Sequence, residues 1–465
     1  MEIAEYANGA GLSRTAVLPL GLVPTPTTEY RAFRAEKALA AGQLRGRAPA
    51  TVPLAASPGT RVLMWKQDPS VAEIGIRKAY LPGQVFTGPR DARIVSQGLP
   101  PVAANALGDF IVSPANTDAF DAVHTFAVVR QTLTMYQRNR GGAPLPWQWN
   151  GPGNTDPLNV FAHAGVTMNA FYSRNLRALK FFFFTKPGDP AGSPQIFTCR
   201  SLDIVAHETG HAILDGLKPG WLSFDNPPQT GALHESFGDL SAIFLALSQL
   251  DQVEAIIAQT KANLHDKTFL SDLAEQFGLA LGRPNGLRNA DNDLKLSQVG
   301  TEVHALSQVF TGGVYDVLAD IFAHEQNTSR KDDAAVLYDV GQYMAGLVVR
   351  AIIAAPATKA TFVDVVNKMR ALVASDGKPQ YRPFITNQFA RREVVPPGSL
   401  DEEGPIEAHI VDEPDAIQDR RGCCGTMQIG HEGEDEDALN NELTQLAKAF
   451  TADGARTPAA SGRRK

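Results

Sequence analysis

The chain has 465 residues, 43% of them hydrophobic and 20% charged, enough to bury a large core in one two-lobed domain or two ordinary ones. Its formal charge of −7 comes without a long Lys/Arg block, so nucleic acid and anionic membrane are not expected as partners. Three cysteines, Cys199 and the adjacent Cys423 and Cys424, make no disulfide framework and leave packing and metal to hold the fold.

Residues 1–60 mix Pro, Gly and Ala with short polar pieces and show no sustained period, which reads as a loosely ordered leader. The N-terminus carries Glu2 and Glu5 rather than a basic region, and Pro19 interrupts its apolar stretch from Ala16 to Val23, so no signal peptide is recognised. No later apolar run reaches the ~20 residues of a membrane span, so a soluble, cytoplasmic protein is expected, with export by a non-standard route as the alternative. From 61 to 113, the runs Arg61–Trp65, Arg93–Val95 and Phe110–Val112 stand between turn signals and predict strands. Asp118–Arg138 has helical spacing at Phe120, Val123, Phe126, Ala127 and Leu133 and stops before Gly141-Gly142-Ala143-Pro144. Ala178–Phe184 predicts a strand buried on both faces.

Beyond it the pattern is helical, over 201–216, 231–249, 267–281, 302–325, 331–354 and 360–374. An α+β chain follows, with a β-containing N-terminal lobe over 61–216 and a mostly helical C-terminal lobe over 217–395. Residues 396–465 turn acidic, as in Glu434-Asp435-Glu436-Asp437, and read as a largely disordered tail with a short amphipathic helix at Ala438–Phe450.

On the helix expected over 201–216, His207 and His211 are one turn apart, so both imidazoles can reach one ion. Glu208 lies about 100° round the helix, offset from that ion's ligands but near enough to hold a water. Two histidines on an ordinary helix face is the plainer reading of this motif alone. A catalytic zinc needs three protein ligands and one open position, so a third is sought on a nearby element. The segment Gly231–Asp239 opens the next helix with Glu235 and Asp239 one turn apart. Glu235 is the candidate third ligand, and Asp239 can accept the free ring N–H of a ligating histidine. A surface carboxylate pair is the alternative, but Phe237, Leu240, Ile243 and Phe244 make that helix a core element where unpaired carboxylates are costly. Thr301 is the expected cap of a later helix carrying His304, which is either a donor to a developing oxyanion or a structural histidine.

In order and spacing these segments resemble the thermolysin-like zinc peptidases. The matching runs are Asn169-Ala170-Phe171-Tyr172, Asp203 through His211, Gly231 through Glu235 with Asp239, Leu287-Arg288, and Val303-His304. The resemblance implies a two-lobed catalytic domain with the active-site helix between its lobes. It implies a zinc-dependent endopeptidase with zinc on His207, His211 and Glu235, and Glu208 as general base. It further implies Asn169 and Ala170 on an edge strand that pairs with substrate backbone, and Arg288 holding a substrate carbonyl. Leu287 and Ile204 would line an apolar pocket for the residue after the scissile bond. A turn role for Asn169, a solvated charge for Arg288 and plain core for the other two are the alternatives.

Two departures carry expectations of their own. Val299 stands where the family has an Asp before its catalytic histidine, so another group must orient His304, and Glu302 is the candidate. Asp203 matches a calcium-supporting carboxylate, but Ala246 replaces a calcium-binding Glu and no acidic cluster compensates, so calcium is not expected. The Gly-x-Met-Glu-Asn segment of related aminopeptidases is absent, which favours an endopeptidase acting on peptide or protein. The rival from another class is a zinc-containing pseudo-peptidase that binds peptides without turnover; retention of Glu208 weighs against it. Cys423 or Cys424, with His431 nearby, could fill the fourth zinc position, exposed tail cysteines being the plainer reading. His124, His163, His234, His265, His324 and His409 receive no role.

Overall fold

The computed structural model describes residues 59–407 apart from 191, 224, 283–285, 329 and 397–403. By internal contacts the chain divides into 1–56 and 57–465, and the described residues belong to the second unit. The expected leader over 1–60 and tail over 396–465, with Cys423, Cys424, His409 and His431, lie outside the described residues save for 59–60, 396 and 404–407.

Strands β1 (Thr60–Trp65) and β2 (Ile76–Leu81) form an antiparallel hairpin. Alternate residues of β1, Thr60, Val62 and Met64, are buried, the period of two expected of a strand with one face on the core. Phe110–Val112 does not become a strand; Phe110 makes one bridge to Val62. The Asp109 carboxylate takes the Arg61 N–H at 2.9 Å and so ends the ladder there.

The main sheet has the order β3 (Ile94–Gln97), β4 (Leu158–Phe161), β6 (Ala178–Phe181) and β5 (Ala170–Ser173). The first three are parallel, and β5 runs antiparallel at the edge. The Ala178–Phe184 run is therefore not one strand. Phe182 leaves the sheet, and β7 (Phe183–Thr185) pairs with β8 (Gln195–Phe197) instead. Thr198 draws the chain out: Phe182 N–H donates to its Oγ1 at 3.0 Å, and the Phe182 carbonyl accepts from its N–H at 3.0 Å.

Helix α1 (Thr117–Asn139) covers the expected span and packs on β1, β3 and the next helix, α2 (Leu202–Leu217). α3 (Pro228–Leu247) is followed by α4 (Leu250–Thr260), which has no counterpart among the expected helices. The helix expected over 267–281 is instead a two-stranded ribbon, β9 (Asp272–Leu273) with β10 (Arg288–Asn289), and the short α5 (Glu275–Ala280). Ala274 sits between β9 and α5 at φ 52°, a left-handed conformation that a continuous helix cannot contain. α6 (Val303–Thr328), α7 (Asp333–Ala354), α8 (Phe362–Ser375) and the unexpected α9 (Arg382–Arg391) complete the described chain. By length and composition α7 could cross a membrane, but it is largely buried against α4, α6 and α8.

This α+β arrangement sets α3 between α2 and α6. Tyr136 of α1 stacks on Phe237 of α3 with centroids 4.9 Å apart, and its hydroxyl meets Ser241 Oγ at 2.9 Å. Such an aromatic pair contributes ~0.5–1.5 kcal/mol beyond its burial. Two glycines allow α2 and α3 to touch. A Cβ on Gly210 would lie 2.5 Å from Ser241 Oγ, and one on Gly238 would lie 2.6 Å from His207 Nδ1. Gly238 thus makes the space that the His207 ring occupies. At the far end of α2, buried Asp215 accepts from Tyr172 Oη at 2.7 Å and Arg174 Nε at 2.9 Å, fastening edge strand β5 to the helix.

Candidate metal centre

Ser201 caps α2, its Oγ accepting from Ile204 N–H at 3.5 Å, and the helix then turns His207 and His211 toward α3. Their Nε2 atoms are 3.0 Å apart. Glu235 of α3 brings Oε2 to 3.5 Å from His207 Nε2 and Oε1 to 3.6 Å from His211 Nε2. Ligand atoms about 2 Å from a tetrahedral ion stand roughly 3.3 Å apart, so this set fits one small cation.

The electrostatics agree. Burial and the Arg288 guanidinium oppose a charge on His207, yet the Asp239 and Glu235 carboxylates push it up to about 10. Burial works against ionising Glu235, yet the imidazoles of His304, His211 and His207 hold it well below the usual carboxylate range. A buried carboxylate that stays ionised and draws a proton onto the neighbouring histidine favours a cation in that proton's place. Burial holds His211 well below its ordinary value, in the neutral form that a ligand must have. His207, His211 and Glu235 can hold a metal ion.

Asp239 Oδ1 lies 2.9 Å from His207 Nδ1 and 2.9 Å from an Arg288 terminal nitrogen. That nitrogen also approaches His207 Nδ1 to 3.2 Å. A guanidinium only donates, and a histidine ligating through Nε2 keeps its proton on Nδ1, so both donors share the Asp239 oxygen. Arg288 is half-buried here, its side chain 12% exposed and paired with Asp239, which does not fit a solvated surface charge. His234, without a role from the sequence, meets His211 Nδ1 with its own Nδ1 at 2.7 Å, and burial lowers it to about 4.

At the start of α6, Glu302 rather than Thr301 takes the helix-opening amides: Oε1 accepts from His304 N–H at 3.1 Å and Oε2 from Ala305 N–H at 2.7 Å. The same Oε1 lies 2.6 Å from His304 Nδ1, while His304 Nε2 comes to 3.3 Å from Glu235 Oε2. One carboxylate therefore caps the helix and orients the ring. Thr is the commoner cap, which is why sequence pattern pointed one residue too early.

A pocket opens beside the ligands, lined by Glu208, His207, Asn169, Ala170, Ile204 and Leu287, with Arg288 and Asp239 in its wall. Asn169 is buried, and its Oδ1 accepts from Ala170 N–H at 2.8 Å. Asp203 also reaches this pocket. It does have acidic company, contrary to expectation: Asp68, after β1, and Glu275, opening α5, both act on it. Burial first, then these charges, raises Asp203 well above the usual carboxylate range, and burial with Asp68 and Asp272 raises Glu275 to about 7. These three carboxylates are not one of the candidate ligand groups among the described residues.

A carboxyl with a raised folded pKa stabilises the fold at low pH. The contribution of Glu275 is whole below about 4.3 and is lost as pH rises through about 7. In chelator, the melting temperature is expected to fall between about pH 5 and about pH 7.5, and Glu275→Gln to flatten that fall. Equal slopes for both chains would refute the assignment.

Two other groups of ligand types converge among the described residues. Asp121, His163 and Cys199 lie together, but Arg200 donates to both Asp121 oxygens at 2.9 Å and already supplies positive charge. Burial raises the Cys199 thiol well above its ordinary value and keeps it protonated. His265, Asp291 and Asp316 meet nearer the surface, where Arg392 donates to Asp316 at 2.7 Å.

No family model and no curated relative matches the chain. Among solved structures, the precursor of protealysin, a metalloproteinase from Serratia proteamaculans, is similar at 15% identity, with 64% of this chain and 84% of that chain covered and a TM-score of 0.41.

Proposed function

We propose that the chain is a zinc-dependent endopeptidase with Glu208 as general base. The observation that carries this reading is the convergence of His207 Nε2, His211 Nε2 and the Glu235 carboxylate next to a pocket that Glu208 lines. Zinc suits two imidazoles and a carboxylate with one position left for water, and when bound it would lower that water's pKa from about 15.7 toward ~7.

Glu208 would take the proton as water attacks the peptide carbonyl and hand it to the leaving amine. His304, oriented by Glu302, would donate from Nε2 to the oxyanion. Arg288, paired with Asp239 in the pocket wall, would hold a substrate carbonyl. Asn169 and Ala170 stand where edge strand β5 begins, a position suited to pairing with an extended peptide. Leu287 and Ile204 favour an apolar residue after the scissile bond.

A zinc-stabilised module that binds peptides without turnover is the other reading, and it draws on Val299. Glu302 at 2.6 Å supplies the carboxylate that Val299 lacks, which supports turnover. Metal analysis combined with peptide-library cleavage separates the two. One zinc per chain is expected, with cleavage abolished by chelator and restored by zinc. Stoichiometric zinc without cleavage establishes the binding module, and cleavage indifferent to chelator rejects both.

A further inference from the structure

His234 precedes Glu235 on α3, and its ring is fully buried. It stacks on His211 with centroids 4.9 Å apart and 26° between planes, and the two Nδ1 atoms stand 2.7 Å apart. Ring nitrogens this close need one proton between them, since two N–H groups repel and two lone pairs make no bond. His211 turns its Nε2 toward His207 and Glu235. A nitrogen that binds a cation must offer its lone pair, so the His211 proton then sits on Nδ1. That proton points at His234 Nδ1, which has to accept it, and His234 carries its own proton on Nε2.

We infer that His234 is the positioning residue of His211: a neutral imidazole that holds the second metal-binding histidine in its Nδ1–H form. The inference rests on the metal-site reading above. Asp239 does the corresponding work for His207 with a carboxylate, so the two imidazoles are backed unequally, one by an anion and one by a neutral ring. The far side of His234 supports this role. Its Nε2 is buried and meets no hydrogen-bond partner among the described residues, so no described side chain or backbone group competes with His211 for the His234 proton. The tautomer of His234 therefore follows that of His211, and metal binding selects one of the two arrangements of the pair.

Asparagine places a carbonyl oxygen as many bonds from Cβ as the imidazole Nδ1, whereas leucine fills the space without an acceptor. Zinc affinity of the full chain is measured by competition with a chromophoric chelator, alongside the visible absorption of the cobalt(II) form. His234→Leu is expected to weaken zinc ~10–100-fold and to shift the cobalt bands, and His234→Asn to recover most of both. Wild-type affinity and spectrum in His234→Leu, or an Asn variant as weak as the Leu variant, overturns the inference. Ring-nitrogen NMR of the zinc-loaded wild type supplies an arm that no folding defect can confuse: Nδ1–H at His211 and Nε2–H at His234 are expected, and Nδ1–H at His234 overturns the inference. A wild type that binds zinc but cleaves no peptide removes the endopeptidase reading alone. A wild type that binds no zinc removes both.

Discussion

Glu208→Gln is expected to keep one metal ion per chain while peptide hydrolysis falls ~10²–10⁴-fold, the loss that follows removal of a positioned general base. The amide matches the carboxylate in shape but takes no proton at neutral pH. Glu208 lies one position after His207 and lines the pocket rather than joining the three converging ligand groups, so its charge is not needed to hold the ion. It is 2% exposed, and glutamine keeps its shape and packing, so the melting temperature should not drop with the activity. Glu235→Ala provides the contrast. It strips the only carboxylate from the ligand set, so metal and hydrolysis should disappear together. Metal analysis and single-peptide kinetics on the two variants decide the matter. Unchanged turnover in Glu208→Gln would deny it the role of base, and loss of metal there would make it a ligand instead.

Where one turn of helix carries the information, the sequence is legible. His207 and His211, and separately Glu235 and Asp239, declare themselves through one-turn spacing on helices with long apolar faces, and α2 and α3 form close to where that spacing puts them. What a local pattern cannot carry is a contact made by partners remote along the chain. The Phe181-Phe182-Phe183-Phe184 run looks like one buried strand until Thr198 bonds both the N–H and the carbonyl of Phe182, where the run divides between two sheets. Asp203 looks isolated until a turn after β1 and the start of α5 bring Asp68 and Glu275 to it. The helix expected over 267–281 fails because β10, arriving from later in the chain, pairs with Asp272 and Leu273. His234 illustrates the same limit inside the site. Its neighbour Glu235 is conspicuous by its pairing with Asp239, whereas the value of His234 depends on a ring from another helix lying 2.7 Å away.

Asp239→Ala is expected to weaken metal binding ~10–100-fold, and adding Arg288→Ala to recover part of that loss. The reason lies in the shared oxygen. Asp239 Oδ1 accepts from His207 Nδ1 and pairs with Arg288 at the same 2.9 Å, so it fixes the histidine tautomer and neutralises the guanidinium together. With the carboxylate removed, the Arg288 donor 3.2 Å from His207 Nδ1 is left facing the ring nitrogen. Donation to Nδ1 requires its lone pair, which drives the His207 proton to Nε2, the nitrogen that faces the metal position. The single variant therefore loses an orienting anion and gains a competitor for the correct tautomer. Removing Arg288 as well withdraws the competitor but not the first loss. A double-mutant cycle on zinc affinity, read by chelator competition, measures the difference as a coupling between the two positions. Purely additive losses would show that Arg288 does not act on the metal through His207, and an Asp239→Ala chain with wild-type affinity would remove Asp239 from the metal site altogether.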